Sequence, residues 1–128
     1  MLKTLVPLAL GGSLGTVARW GLHRCVDSRL PASATGAPFP WGILLVNVSG
    51  CLVFGWLAAR FEGRAWATEP LRLAVFTGFL GGYTTFSTFG WNTFELLRGG
   101  QAGLAFANAA ASVLLGLAAV WGGYSLGR

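Results

Sequence analysis

The chain has 128 residues, of which 54% are hydrophobic and only 10% are charged. Because about a quarter of the residues in an ordinary soluble domain are charged, this composition excludes a typical small soluble domain and favours a membrane protein. The formal net charge of +5 is spread thinly without a basic cluster, so it argues against nucleic-acid binding and favours lipid headgroups as the counter-charge.

Four apolar segments are long enough to cross a bilayer, which takes about 20 helical residues each. The predicted spans cover residues 3–23, 41–60, 71–97 and 103–126. The amino terminus resembles a signal peptide, but no small-x-small cleavage site precedes Arg19, so we interpret it as a retained first span. Residues 24–40 are rich in Pro and Gly and predict an irregular loop. We therefore predict an all-α membrane protein in which residues 1–128 form a single four-helix transmembrane domain.

Polar residues inside these spans need a physical reason, because they cost free energy in lipid. Arg19 in span one has to face protein or water, and Asn47 in the middle of span two can either join helices or contact a solute. Asn108 and Ser112 lie four residues apart on span four, where hydrogen bonding between helices is the commoner use of such side chains.

Span three contains the segment GFLGGYTTFSTF at residues 78–89. It holds three glycines and four Ser or Thr residues within an uncharged apolar stretch, a mixture that a plain membrane span does not need. The pair Gly81-Gly82 is where a helix would most readily come apart, which would free backbone carbonyls at membrane depth. Phe86 and Phe89 stand three residues apart, on one face of a helix.

Small residues form two faces suited to close helix packing. They are Gly11 and Gly15 in span one and Ala109, Ser112 and Gly116 in span four. In lipid, helices associate through such faces, so each predicts a packing partner, either in the same chain or in a second copy.

The positive charges give almost no orientation bias. One side of the membrane would collect Lys3, Arg60, Arg64, Arg72 and Arg128, and the other would collect Arg24, Arg29 and Arg98, with Arg19 if it is counted. Since asymmetry of Lys and Arg orients membrane proteins, a balanced chain can insert both ways, and we predict an antiparallel homodimer of oppositely inserted copies. A single topology, decided by details outside this count, is the alternative.

No carboxylate lies deep within a predicted span, because Asp27, Glu62 and Glu69 fall in loops and Glu95 is close to the end of span three. A proton-coupled small multidrug-type transporter needs such a buried group and is disfavoured. No Ser/His/Asp arrangement, phosphate loop or His/Cys cluster points to an enzyme. Buried hydrogen-bond donors and aromatic edges instead favour a small-anion pathway. A non-conducting membrane assembly protein is the other alternative.

The segment at residues 78–89 resembles the signature of the CrcB/Fluc fluoride channel family. Two further segments, GTVARW at residues 15–20 and GILLVNV at residues 42–48, are similar to family motifs and stand at the expected places. The resemblance covers essentially the whole chain. It implies a fluoride-selective channel in the cell inner membrane, built as a dual-topology antiparallel homodimer with two pores and a central sodium ion. Passive fluoride efflux through it would lower fluoride toxicity.

The resemblance also implies roles for individual residues. Phe86 and Phe89 resemble the pair whose ring edges line the fluoride path, and Asn47 resembles the amide that hydrogen-bonds the ion. Gly81 and Thr84 match the positions whose backbone carbonyls, two from each subunit, hold sodium. Hard oxygen ligands suit that ion, and carbonyls exposed at membrane depth are allowed where they are buried in protein.

The remaining implied positions surround the path. They are Arg19, which matches an arginine near the vestibule, and Ser87, Thr88 and Ser112, which are expected to belong to a polar track. Three positions depart from the family pattern. Asn92 stands where the motif commonly has Glu, with Gly90 where it has Ser, which leaves no carboxylate there. Tyr83 replaces a usually smaller apolar residue, and its hydroxyl needs a hydrogen-bond partner or the membrane interface.

Overall fold

The computed structural model describes residues 2–30 and 37–128. Its helices are α1 (Leu2–Asp27), α2 (Trp41–Phe61), α3 (Glu69–Arg72), α4 (Gly81–Tyr83), α5 (Phe86–Arg98) and α6 (Ala102–Gly127), with a π-helix (Leu73–Leu80) between α3 and α4. The described residues contain no β-strand, in agreement with the all-α prediction. Residues 31–36 of the predicted loop lie outside the described residues, and α1 continues to Asp27, beyond the predicted end of span one.

The third predicted span is a helix in two parts. Residues 69–83 run without interruption through α3, the π-helix and α4. Thr84 and Thr85 then adopt extended backbone, with ψ angles of 158° and 120°, before α5 begins at Phe86. In the π-helix the hydrogen bonds are one residue wider than in an α-helix, and the N–H of Gly81 reaches the carbonyl of Phe76.

The break therefore falls at Thr84-Thr85, and its predicted position at Gly81-Gly82 is wrong. Gly82 serves close packing instead, since a Cβ there would lie 2.5 Å from the carbonyl oxygen of Gly12 on α1. Gly82 remains helical, and the property that matters at this position is its small size, which allows the close approach of α1, rather than its conformational freedom.

Glycines bring the helices into backbone contact in two pairs. Gly11 and Gly15 of α1 face the third segment so closely that a Cβ on either would collide with its backbone. Gly55 of α2 and Gly123 of α6 make the same kind of approach between those two helices. The small face of α1 therefore packs against a partner within the chain. At Gly116 of α6, an added Cβ would lie 3.6 Å from the Cys51 sulfur of α2, which is an ordinary van der Waals distance.

A carboxylate joins the end of α1 to the start of α2. Asp27 Oδ2 pairs with His23 Nε2 at 2.9 Å, and Asp27 Oδ1 accepts the backbone N–H of Gly42 at 3.2 Å. Because Gly42 N–H belongs to the first turn of α2, it has no partner within its own helix. The carboxylate therefore caps α2 and fixes the helix that carries Asn47.

The distribution of apolar side chains is that of a protein in lipid. Among the described residues, eight apolar residues are buried, whereas 29 large hydrophobic ones are exposed. Two helices, α2 and α6, are long and apolar enough to cross a membrane. The α1 helix is as long as α6, at 26 residues, but it carries Lys3, Arg19 and Arg24. Its crossing, and that of the broken third segment, are predictions from the sequence.

Candidate functional site

The break in the third segment releases backbone carbonyls from their helical partners. In a continuous α-helix the N–H of Thr85 would bond the carbonyl of Gly81, and the N–H of Thr88 would bond that of Thr84. Here Thr85 N–H donates to Asn47 Oδ1 at 2.8 Å, and Thr88 N–H donates to the Thr85 hydroxyl at 3.2 Å. The carbonyls of Gly81 and Thr84 therefore lose the donors that a continuous helix would supply.

Asn47 holds the break from α2 through both ends of its amide. Its Oδ1 accepts Thr85 N–H at 2.8 Å, and its Nδ2 donates to the Thr85 carbonyl at 3.0 Å. A side-chain amide has two N–H groups, so one donor of Asn47 is left for another acceptor. The sequence left open whether Asn47 joins helices or contacts a solute, and the structure shows that it joins helices with one N–H to spare.

Arg19 approaches the break from α1 on the opposite side. Its Nη1 donates to the Thr84 carbonyl at 3.1 Å, while the Thr84 hydroxyl bonds back to the Leu80 carbonyl at 2.9 Å. The guanidinium is partly buried at this contact. Arg19 thus faces protein, as the sequence required, and it places a positive charge at the break.

A mostly apolar cleft of about 550 Å³ runs alongside the break. Its lining includes the predicted residues Asn47, Gly81, Thr84, Phe86, Phe89 and Ser112. The rings of Phe86 and Phe89 lie 5.4 Å apart at a tilt of 43°, and Phe86 is 83% exposed. Aromatic ring edges carry partial positive charge, so the pair can face an anion.

Ser112 contributes a polar atom to this cleft from α6. Its Oγ is buried and has no hydrogen-bond partner among the residues that the structure describes. A buried hydroxyl without a partner is unusual in a folded protein. Ser112 thus borders the cleft with an unused hydroxyl, whose oxygen is covered by neighbouring atoms in the single chain.

The other predicted hydroxyls lie next to the cleft and have partners of their own. Both Ser87 Oγ and Thr88 Oγ1 contact the Thr85 hydroxyl, at 3.2 and 3.1 Å. Thr85 itself is 8% exposed and caps the N-terminus of α5. The sequence analysis did not single out Thr85, although a Thr directly before a helical run is a capping signal that could have indicated it.

Span four supplies a second polar contact outside the cleft. Asn108, which is 1% exposed, donates to the Thr93 hydroxyl at 2.8 Å and so ties α6 to α5. Interhelical bonding was the favoured use of Asn108, and the structure agrees. Ser112 lines the cleft instead.

The oxygen atoms at the break suit a hard monovalent cation better than a transition metal. Within residues 2–30 and 37–128 no three His, Cys, Asp or Glu side chains gather as metal ligands. The available donors are neutral backbone carbonyls, which favour hard cations. Gly81 is exposed at its end of the cleft. The carbonyls of Gly81 and Thr84 are of the donor type that a sodium ion takes, and Arg19 already donates to the second of them.

The fold and the site define a small helical membrane protein with a broken helix beside a mostly apolar cleft. The family model described as CrcB-like protein, Camphor Resistance (CrcB), matches residues 6–124. The chain therefore belongs to the CrcB family.

Relatives with curated names cover nearly the whole chain. A protein of Solibacter usitatus named fluoride-specific ion channel FluC is 45% identical over 94% of this chain and 95% of its own. One of Nitratidesulfovibrio vulgaris with the same name is 43% identical over 99% of this chain and 98% of its own. A third, from Azotobacter vinelandii, is 40% identical over 98% of both chains and is also named fluoride-specific ion channel FluC.

Proposed function

We propose that this chain forms a fluoride-selective ion channel through which cytoplasmic fluoride leaves passively down its electrochemical gradient. The observation that carries the proposal is that Phe86, Phe89 and Asn47 line one cleft, in a chain whose relatives are named fluoride-specific ion channels. The chain would act as a channel rather than an enzyme and would lower fluoride toxicity. We place it in the cell inner membrane as a multi-pass protein with lipid around it.

Fluoride is small and strongly hydrated, so a selective path must replace its water with close donors. Ring edges interact only weakly with an anion. The second N–H of Asn47 is a stronger donor on the same cleft, and the unpartnered Ser112 hydroxyl would join it by turning towards the ion. Arg19 adds positive potential at the break. Chloride, which is larger than fluoride, would fit a narrow path of such close donors poorly.

The proposed channel is an antiparallel homodimer of oppositely inserted copies. A cleft with Phe86 83% exposed at its rim is an incomplete enclosure, and a second chain would close it. The balanced positive charges support opposite insertion of the two copies. Two copies would give two fluoride paths.

Sodium at the dimer centre is part of the same proposal. One chain offers the carbonyls of Gly81 and Thr84, and two oxygen atoms are too few for a stable cation site. A second copy related by a twofold axis would double the donors at the midplane. The ion would hold the two breaks together through backbone atoms alone.

A proton-coupled transporter has no support from the structure. All four acidic residues lie at or near helix ends: Asp27, Glu62, Glu69 and Glu95. None of them lines the cleft of about 550 Å³. A carrier that exchanges protons would need a carboxylate there.

Fluoride efflux from proteoliposomes, followed with a fluoride electrode, tests the proposal. We expect rapid efflux of fluoride, no comparable efflux of chloride, and loss of fluoride efflux when sodium is replaced by N-methylglucamine on both sides. Efflux driven by a proton gradient would favour a coupled transporter. Vesicles that hold the folded protein and release no fluoride would favour a non-conducting assembly protein.

A further inference from the structure

Tyr83 is the last helical residue before the break, and its side chain is tied to α2. The Tyr83 hydroxyl lies 2.8 Å from Ser49 Oγ, and the Ser49 hydroxyl is also 3.1 Å from the Val46 carbonyl. Either hydroxyl can donate in the Tyr83–Ser49 contact, and where Ser49 gives its single hydrogen to Val46, the Tyr83 hydroxyl is the donor.

The residues of the break meet α2 one after another. Tyr83 bonds Ser49, and Thr85 bonds Asn47 through both backbone groups. Thr84 lies between them, with its methyl group against Gly50, where a Cβ would collide with it. This short stretch of α2, residues 47–50, forms a cradle for residues 83–85.

The cradle and Arg19, which donates to the Thr84 carbonyl at 3.1 Å, together determine which way that carbonyl points. A peptide is planar, so fixing the residue on either side of Thr84 limits the rotation of its two peptide planes. Asn47 fixes the plane after Thr84, and Tyr83 anchors the chain before it. Without the Tyr83 contact the cradle would hold the break on one side only.

From these contacts we infer that Tyr83 and Ser49 are a positioning pair that sets the geometry of the carbonyl cation site at the break. Neither residue lines the cleft, so they act through the backbone and not by touching the permeant ion. The inference rests on the sodium site of the proposed function. A part-buried hydroxyl pair that orients a ligand backbone is expected to change affinity for the ion, in addition to stability.

The experiment measures the melting temperature of the purified full-length protein in detergent as sodium replaces N-methylglucamine at constant ionic strength. A ligand that binds only the folded state raises the melting temperature, with a concentration dependence that reports its affinity. We expect Y83F and S49A each to raise the dissociation constant of sodium, fitted from the rise in melting temperature with sodium concentration, about three- to tenfold. This is the range of one net hydrogen bond. The double variant should shift it no further, because both substitutions break one contact.

Matched controls come from the same chain. Tyr124→Phe removes the only other tyrosine hydroxyl in the sequence. That hydroxyl donates to a carboxylate oxygen of Glu62 at 2.6 Å, and neither residue lines the cleft. Ser13→Ala removes a hydroxyl that bonds its own helix at Ala9. Both control variants should keep the wild-type dissociation constant for sodium.

The outcomes separate the inference from the function on which it rests. If Y83F and S49A lower the melting temperature but keep the wild-type dissociation constant for sodium, their role is structural only and the inference is wrong. If the melting temperature of the wild-type protein does not change with sodium concentration, the inference is wrong, and so is the sodium part of the proposed function. Fluoride efflux from proteoliposomes made with the same preparation tests separately whether the protein conducts fluoride.

Discussion

Asn47 contributes in two separable ways, to the stability of the break and to the lining of the cleft. Both its amide oxygen and one of its N–H groups are used by Thr85, so the side chain bridges α2 and the third segment. Asn108 is a natural comparison. It also bridges two helices, through Thr93, but it lies outside the cleft.

We predict that Asn47→Ala and Asn108→Ala both destabilise the fold, by about 1–3 kcal/mol each, because each leaves polar partners unsatisfied. Only Asn47→Ala should abolish fluoride efflux, since it also removes the spare donor from the cleft. Thermal unfolding in detergent and electrode-detected efflux measure the two effects. Efflux in the Asn47 variant equal to that of the Asn108 variant would contradict this assignment.

The exposed phenylalanines allow a similar comparison. Phe86 on the cleft and Phe106 on α6 are 83% and 77% exposed, so replacing either with Ile costs little packing within one chain. We expect Phe86→Ile and Phe89→Ile to reduce fluoride efflux, because an aliphatic side chain has no positive ring edge. Phe106→Ile should conduct normally. Unchanged efflux in both Phe86 and Phe89 variants would remove the pair from the path.

At the scale of the helix, the break is stable because side chains replace the missing helical bonds. Asn47 takes one N–H that the break releases, and the Thr85 hydroxyl takes another as the cap of α5. An open helix end in lipid without such partners would cost several kcal/mol for each unsatisfied group. The break therefore depends on α2 being in place.

Close packing of α6 on α2 rests on one of two neighbouring glycines. A Cβ on Gly123 would collide with the Leu52 carbonyl, whereas a Cβ on Gly122 would meet nothing within 4 Å. We predict that Gly123→Ala destabilises the protein by about 1–3 kcal/mol through overpacking. Gly122→Ala should be neutral or stabilising by up to about 1 kcal/mol, from helix propensity. Equal melting temperatures for the two variants would contradict the packing shown here.

At the scale of the whole molecule, the proposed homodimer requires copies that insert into the membrane in opposite directions. Cys25 is exposed near the end of α1 and is a native reporter, once Cys51 is replaced by Ala. If copies insert in both directions, a membrane-impermeant maleimide added to sealed vesicles should label about half of the Cys25 thiols. Detergent should then expose the rest. Complete labelling before detergent, or none, would establish a single topology.

The all-α architecture followed from composition and segment length, because a chain with so few charges and four long apolar runs can satisfy its backbone in lipid only as helices. The residues that line the cleft were also accessible to sequence analysis. Polar side chains within apolar spans are costly, so Asn47 and Ser112 attracted attention on that ground. Phe86 and Phe89 stood out as a pair on one helical face, and the family resemblance implied that all four line the fluoride path.

Other features were decided by tertiary contacts. The break moved from Gly81-Gly82 to Thr84-Thr85, because α1 uses Gly82 for packing and α2 supplies Asn47 to Thr85. Neither contact can be recognised along the chain, since the partners are far apart in sequence.

The sequence by itself therefore determined the kind of protein, the number of helical segments and the polar residues within them. Only the tertiary structure decided where the third helix opens and how Tyr83 is held against Ser49. The physical reason is that hydropathy is a local property of each segment. The fate of a backbone hydrogen bond depends on which neighbouring helix presents a partner for it.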